Sequence, residues 1–178
     1  MRRHLPYLAV MAAIVLLDQV TKALVVRFLA LHEYVPVVDG LLSLSHVRNR
    51  GAAFGLFADW DLPYQSALLA ALSVLALLAI ALYFLRLPAA ARLPRLALAL
   101  VLGGAVGNLI DRIRFGYVVD FVHAYWRQHQ WPDFNVADSA ITVGVTLLVL
   151  DILRSPGEAP AGDEPGIDAA APTAGRID

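Results

Sequence analysis

Apolar positions along this chain gather into four long runs, not into the short amphipathic segments of a soluble fold. A helix that crosses a bilayer needs about 20 such residues. The runs at roughly Tyr7–Phe28, Tyr64–Leu85, Leu96–Ile113 and Asn135–Leu153 are long enough. The second is the cleanest, with Ser73 the one polar residue of its interior, and the first is interrupted by Asp18 and Lys22. Arg2-Arg3 followed by Leu8–Leu17 looks like a secretory leader. The apolar run nevertheless continues past Asp18 to about Leu31 without a convincing cleavage site, so the pattern predicts an uncleaved first span. The expected fold class is an all-α membrane protein, a bundle of four transmembrane helices.

The connection between the first two runs has its own pattern. Asp39-Gly40 is a turn signal, and after it Leu42, Leu44 and His46 alternate with Ser43, Ser45 and Val47. That predicts a small extramembrane hairpin or curved sheet within residues 33–60. Ala52–Trp60 is apolar and aromatic but too short to span, which predicts a helix lying in the interface. Trp126 and Trp131 fit an aromatic belt on the same side. Residues 155–178 are rich in Pro, Gly, Ala and acids and read as a disordered tail behind one membrane-embedded domain, residues 1–154.

Composition sharpens this. The chain is 59% hydrophobic and 16% charged, where a soluble domain carries roughly 25% charged residues. A net charge of −1 offers no basic excess for nucleic acid. The absence of cysteine excludes disulfides, thiol nucleophiles and Cys-ligated metals. Five histidines show no HExxH spacing and are expected at the surface or interface. Arg2, Arg3, Arg86, Arg92, Arg95 and Arg154 fall on one face, and Arg27, Arg48, Arg50, Arg114 and Arg127 on the other. This small bias, with a short basic connection between runs two and three, places both termini in the cytoplasm.

Candidate chemistry lies at the ends of the runs. Asp120, in Gly116-Tyr-Val-Val-Asp120-Phe, and Asp138, in Phe134-Asn-Val-Ala-Asp138-Ser, border runs three and four. Carboxylates beside hydrocarbon are costly and tend to mark function. Two brought together can share one proton and activate a water, as in an aspartic protease. Asn135 as helix N-cap and Asp138 in the first turn also have a plain capping explanation, which does not extend to Asp120.

Gly103 and Gly107 form a GxxxG pair for close helix approach. Gly104, Asn108, Asp111 and Arg112 share one helix face, where they serve either a site or the packing of the bundle. Asp111 and Arg112, adjacent in sequence, should each find a partner elsewhere. Asp18 and Lys22 are spaced i, i+4 for a neutralising ion pair. In Arg48-Asn49-Arg50-Gly51, Asn49 can donate and accept, and Gly51 allows either an ordinary turn or close approach of a ligand. From residues alone, an ion-coupled transporter and a noncatalytic scaffold stand beside the peptidase. A transporter would place its charges near mid-bilayer, often with repeat symmetry.

Five stretches together resemble the lipoprotein signal peptidase family, also called signal peptidase II. They are Leu17-Asp18-Gln-Val-Thr-Lys22, Asn49-Arg-Gly51-Ala-Ala-Phe54, Gly103-Gly-Ala-Val-Gly-Asn108-Leu-Ile-Asp111-Arg112, Gly116-Tyr-Val-Val-Asp120-Phe and Phe134-Asn135-Val-Ala-Asp138-Ser. They run in the family's order. The resemblance implies a four-helix bundle with a small extramembrane sheet and an interfacial helix. It implies an aspartic endopeptidase of the bacterial inner membrane, active near the periplasmic face, that cleaves diacylglyceryl-modified prolipoproteins before the lipidated cysteine. Asp120 and Asp138 match the catalytic pair. Asn49, Gly51, Asn108, Asp111, Arg112 and Asn135 match residues that shape the site, and Asp18 and Lys22 match a supporting pair.

Membrane lipid and the lipid-modified substrate are the expected partners, with a monomer as the working unit and no metal or organic cofactor. The Gly-rich face of run three is expected to leave room for the peptide. Arg112 is expected to hold Asp111, and the 52–60 segment to close over the substrate as a lid.

Overall fold

A computed structural model describes residues 4–51 and 64–154. Its helices are α1 (Leu5–Phe28), α2 (Gln65–Arg86), α3 (Arg92–Phe115) and α4 (Val136–Arg154), each long and apolar enough to cross a membrane. An antiparallel sheet in the order β1-β2-β3-β4 is built from β1 (Tyr34–Val38), β2 (Leu42–Asn49), β3 (Val118–Trp126) and β4 (His129–Gln130). The expected interfacial helix at 52–60 and the tail from 155 lie outside the described residues.

Helix α3 is the inner element, packed against α1, α2 and α4. Apolar area gives helices little reason to associate in lipid, so close approach of small residues has to do it. Gly103 sits against Met11 and Ile14 of α1, and Gly107 against Asp18 of α1 and Ala137 of α4. A Cβ added at Gly104 would collide with the Ala137 carbonyl oxygen. Gly144 of α4 repeats the device against Ala97 and Val101 of α3. The outer faces of α1 and α2 stay covered in exposed leucines such as Leu16, Leu24, Leu68, Leu75 and Leu82, as suits a hydrocarbon surround.

Three sequence expectations change. Helix α3 begins at Arg92, so Arg95 is no loop cation. It is 1% exposed, and its guanidinium donates to Pro88 O (3.0 Å) and to Leu87 O, beside the rings of Tyr7 and Phe84. It satisfies carbonyls at and just beyond the α2 C-terminus, which lack helical partners. Second, the run Val118–Trp126 is a strand that the apolar-run reading passed over, although its β-branched and aromatic content is a strand signature.

Third, His46 is not at the surface, and the alternation in β2 buries its serines. Ser43 and Ser45 are the buried positions while Leu42 and Leu44 are half-buried, because the covered face is polar: Ser45 Oγ donates to Asp133 Oδ1 at 2.6 Å. The register steps from Leu44↔Val122 to Val47↔Asp120, so Ser45 and His46 together oppose Phe121 in a bulge. The bulge turns His46 inward, away from the expected surface, with Nδ1 3.0 Å from Leu29 O. Beyond it Asn49 pairs with Val118, diagonal to Asp120 on the same face.

Candidate active site

The two aspartates arrive by different local routes. Helix α3 ends at Gly116, whose φ of +76° is the left-handed cap that lets the chain reverse. β3 then starts at once and carries Asp120 back over the end of the bundle. The strand is pinned to the preceding helix by its Val119 N–H, which donates to Asp111 Oδ2 at 3.1 Å. Asp138 is positioned by helix capping: Asn135 Oδ1 accepts the Asp138 N–H (2.9 Å), and Asp138 Oδ2 accepts the Asn135 N–H (3.2 Å). This reciprocal pair is a capping box with Asn and Asp in its two seats.

Three asparagines deliver side-chain N–H groups to the carboxylates, and the orientation of each amide is settled by its other end. Asn49 Oδ1 accepts the Gly51 N–H (2.8 Å), so its Nδ2 faces Asp120 Oδ2 (3.0 Å). Asn135 Oδ1 is held by the Asp138 N–H, so its Nδ2 faces Asp120 Oδ1 (2.7 Å). Asn108 Oδ1 accepts from Lys22 Nζ (2.9 Å), so its Nδ2 faces Asp138 Oδ1 (2.8 Å). Backbone N–H groups and ammonium groups only donate, which excludes the flipped amides.

Lys22 is the cation beneath this layer. Its Nζ lies 2.8 Å from Asp18 Oδ2 and 3.0 Å from Asp111 Oδ2, in surroundings closed to solvent. Asp18 also accepts the Ala137 N–H at 3.0 Å, so α1 caps α4 from the side. Arg112 donates to Gly51 O (3.1 Å), not to Asp111 as expected, because Lys22 and Gln19 already hold that carboxylate. All ten residues singled out in the sequence thus belong to one hydrogen-bonded network: Asp18, Lys22, Asn49, Gly51, Asn108, Asp111, Arg112, Asp120, Asn135 and Asp138. Gln19 was missed. Its Nε2 reaches Asp111 Oδ1 (2.9 Å), Gly107 O and Asp18 Oδ2, and the available signal was a further polar residue inside an apolar helix.

Asp120 and Asp138 both face a cavity of about 730 Å³ between α2 and α4, floored by Ala105, Asn108 and Arg112 of α3. Its α2 wall is apolar apart from Ser73, and Trp131–Phe134 rim it at the sheet end. The glycines expected to make room for a peptide do not line this cavity. They are filled by α1 and α4, and the gap between α2 and α4 supplies the space instead. Asp120 is 2% exposed, and its carboxyl is pushed up from the ordinary range to about 7, first by burial and then by the Asp138 charge. The Asn49 and Asn135 amides and Lys22 oppose that rise. Two carboxylates on one cavity, Asp120 buried and near half-protonated at neutral pH and Asp138 half-buried, can hold a proton and a water together.

The family model described as Signal peptidase (SPase) II matches residues 10–154. The lipoprotein signal peptidase of Geobacter metallireducens is 49% identical over 145 residues, covering 82% of this chain and 88% of the relative. That of Geobacillus kaustophilus is 46% identical over 142 residues, covering 80% and 89%. A bacterial membrane enzyme solved by the in meso method superposes with a TM-score of 0.75 at 29% identity, covering 83% of this chain and 87% of that one. A second such structure gives 0.74 at 28% identity, covering 85% and 94%.

Proposed function

The chain belongs to the signal peptidase II family, the lipoprotein signal peptidases, and from that premise we propose that it is an aspartic endopeptidase whose catalytic pair is Asp120 and Asp138. The observation that carries this is the convergence of both carboxylates, each given N–H donors on both oxygens, on one cavity at one end of the bundle. One carboxylate takes a proton from water as it attacks the scissile carbonyl. The other, protonated, donates a hydrogen bond to the carbonyl oxygen and later supplies a proton to the leaving nitrogen. The proton belongs to the pair, and the two carboxyls exchange roles within the cycle.

The substrate is a prolipoprotein carrying a diacylglyceryl-modified cysteine, cut just before that cysteine. Its acyl chains stay in the bilayer while the peptide enters between α2 and α4, whose facing walls are largely apolar. The membrane is the bacterial inner membrane, with both termini cytoplasmic and the carboxylates near the periplasmic face beside the sheet. The working unit is a monomer, residues 1–154 form the peptidase domain, and residues 155–178 lie outside the catalytic unit. Asn49, Asn108 and Asn135 orient the carboxylates. Arg112 holds the Gly51 carbonyl, and Asp18, Lys22 and Asp111 brace the layer beneath. The two carboxylates of the pair lie at one end of the bundle, not at its middle, which favours this reading over ion-coupled transport.

The test is cleavage of a diacylglyceryl-modified prolipoprotein by the purified chain beside Asp120→Asn and Asp138→Asn. Cleavage before the lipidated cysteine should fall by roughly 10²–10⁴-fold or more in either variant. Near-normal cleavage by either one ends the pair hypothesis.

A further inference from the structure

We infer that Lys22 is a positioning residue for Asp138, acting through the Asn108 amide. The inference rests on the peptidase reading above and adds to it a residue that does not line the cavity. An ammonium has three N–H donors and no acceptor. Here the three acceptors within reach are Asp18 Oδ2 at 2.8 Å, Asp111 Oδ2 at 3.0 Å and Asn108 Oδ1 at 2.9 Å. Lys22 is 3% exposed, so no water competes for them. Asn108 must therefore present its carbonyl oxygen to Lys22, and its Nδ2 is left pointing at Asp138 Oδ1, 2.8 Å away.

The flipped amide would set its NH₂ against an ammonium and its oxygen against a carboxylate. Asn135 Nδ2 gives one N–H to Asp120 Oδ1 at 2.7 Å and turns its other toward Asn108 Oδ1 at 3.2 Å and Val119 O at 3.3 Å. Lys22 supplies the shorter and charged of the two donors to Asn108 Oδ1, at 2.9 Å.

What Lys22 transmits is direction more than charge. Its positive charge is matched by two carboxylates, Asp18 and Asp111, at contact distance. The charged groups that act on Asp138 are Asp18 and Lys22 from α1, Arg112 from α3 and Asp120 from β3. Among them Lys22 alone is hydrogen-bonded to a side chain that in turn donates to Asp138. With that donor in place, Asp138 Oδ1 is kept as an acceptor.

The experiment compares Lys22→Gln with Lys22→Met in the full chain, purified in detergent, on a diacylglyceryl-modified prolipoprotein. Both variants lose the ammonium, and only Gln keeps an N–H for Asn108 Oδ1. Melting temperatures show whether the two are equally folded. The Gln variant should keep about 10–100-fold more kcat than the Met variant at similar KM, the value of one donor to a charged group. The acid limb of the pH–rate profile should move to higher pH in both variants, and further in Met than in Gln. Equal kcat and equal acid limbs in the two variants would overturn the inference.

If both variants unfold, Asn108→Asp decides. It keeps an acceptor on Lys22 but turns a second carboxylate toward Asp138, so the acid limb should rise and kcat fall, and a wild-type profile would overturn the inference. Asp120→Asn and Asp138→Asn run alongside. Normal cleavage by those two removes the catalytic pair on which the inference rests, whereas inactive aspartate variants with matching Gln and Met remove only the role of Lys22.

Discussion

Asn135 Nδ2 stands 2.7 Å from Asp120 Oδ1, while Oδ1 of the same side chain accepts the Asp138 N–H that begins α4, at 2.9 Å. One asparagine thus caps a helix and ties a strand carboxylate to a helix carboxylate. The two roles separate in Asn135→Ser. Serine caps about as well as asparagine, so the start of α4 should persist, and stability should fall only by the donor withdrawn from buried Asp120, about 1–3 kcal/mol. The donor to Asp120 is lost, and kcat should fall about 10–100-fold, in line with a hydrogen bond to a charged group. Asn135→Ala should lose the same activity and a further ~1 kcal/mol of stability. Wild-type kcat in Asn135→Ser would show that the Asp120 contact is not used.

Asp120 makes stability depend on pH in a direction opposite to most carboxylates. Its folded-state proton affinity is raised to about 7 by burial and by the Asp138 charge, against about 3.9 in an unfolded chain. The folded state therefore holds more protons between these values. The stability it draws from Asp120 is complete below about pH 4 and is lost as pH rises toward about 7. Asp120→Asn, neutral throughout, should gain on wild type over that range and level off above it. Melting both proteins from about pH 5 to 8 checks this, and a constant difference would refute it. In wild type, kcat/KM should fall on the alkaline side as the pair loses its proton.

Gly104 takes part in the packing of α3 on α4. A Cβ there meets the Ala137 backbone and the Ile141 side chain, and Ala137 sits beside Asp138. Gly104→Val should destabilise the fold by about 1–3 kcal/mol through overpacking. It should also lower kcat by displacing the first turn of α4. Thermal unfolding with single-turnover kinetics separates the two, and unchanged kcat would mean that Asp138 tolerates the shift.

Arg95 tests the opposite end of the bundle. Arg95→Leu removes the side-chain donor from the Leu87 carbonyl and one of two donors from the Pro88 carbonyl, which keeps the Ala91 N–H, at about 1–3 kcal/mol for the acceptor left unpaired. Stability should drop while kcat of the folded fraction stays at the wild-type value. A fall in kcat would reveal coupling along α3 that the hydrogen-bond pattern does not suggest.

What the chain settles by itself is whatever depends on local spacing. Four apolar runs of bilayer length became four helices. Asp18 and Lys22, one turn apart, became an ion pair, and Asn135 and Asp138, three apart, became a cap. Asp39-Gly40 turned β1 back on β2.

Tertiary structure decided the rest, because each remaining choice needs a partner distant in sequence. Lys22 orients Asn108 across 86 positions, and Asp18 caps α4 across 119. Ser43 and Ser45 were buried in preference to the leucines because Asp133 and Tyr125 came to lie over that face of β2. The glycines of α3 went to contacts with α1 and α4, and the gap of about 730 Å³ opened beside α2. Spacing along one helix places residues on a face. Only the neighbouring elements settle what that face meets, and a buried donor must find an acceptor wherever the fold brings one.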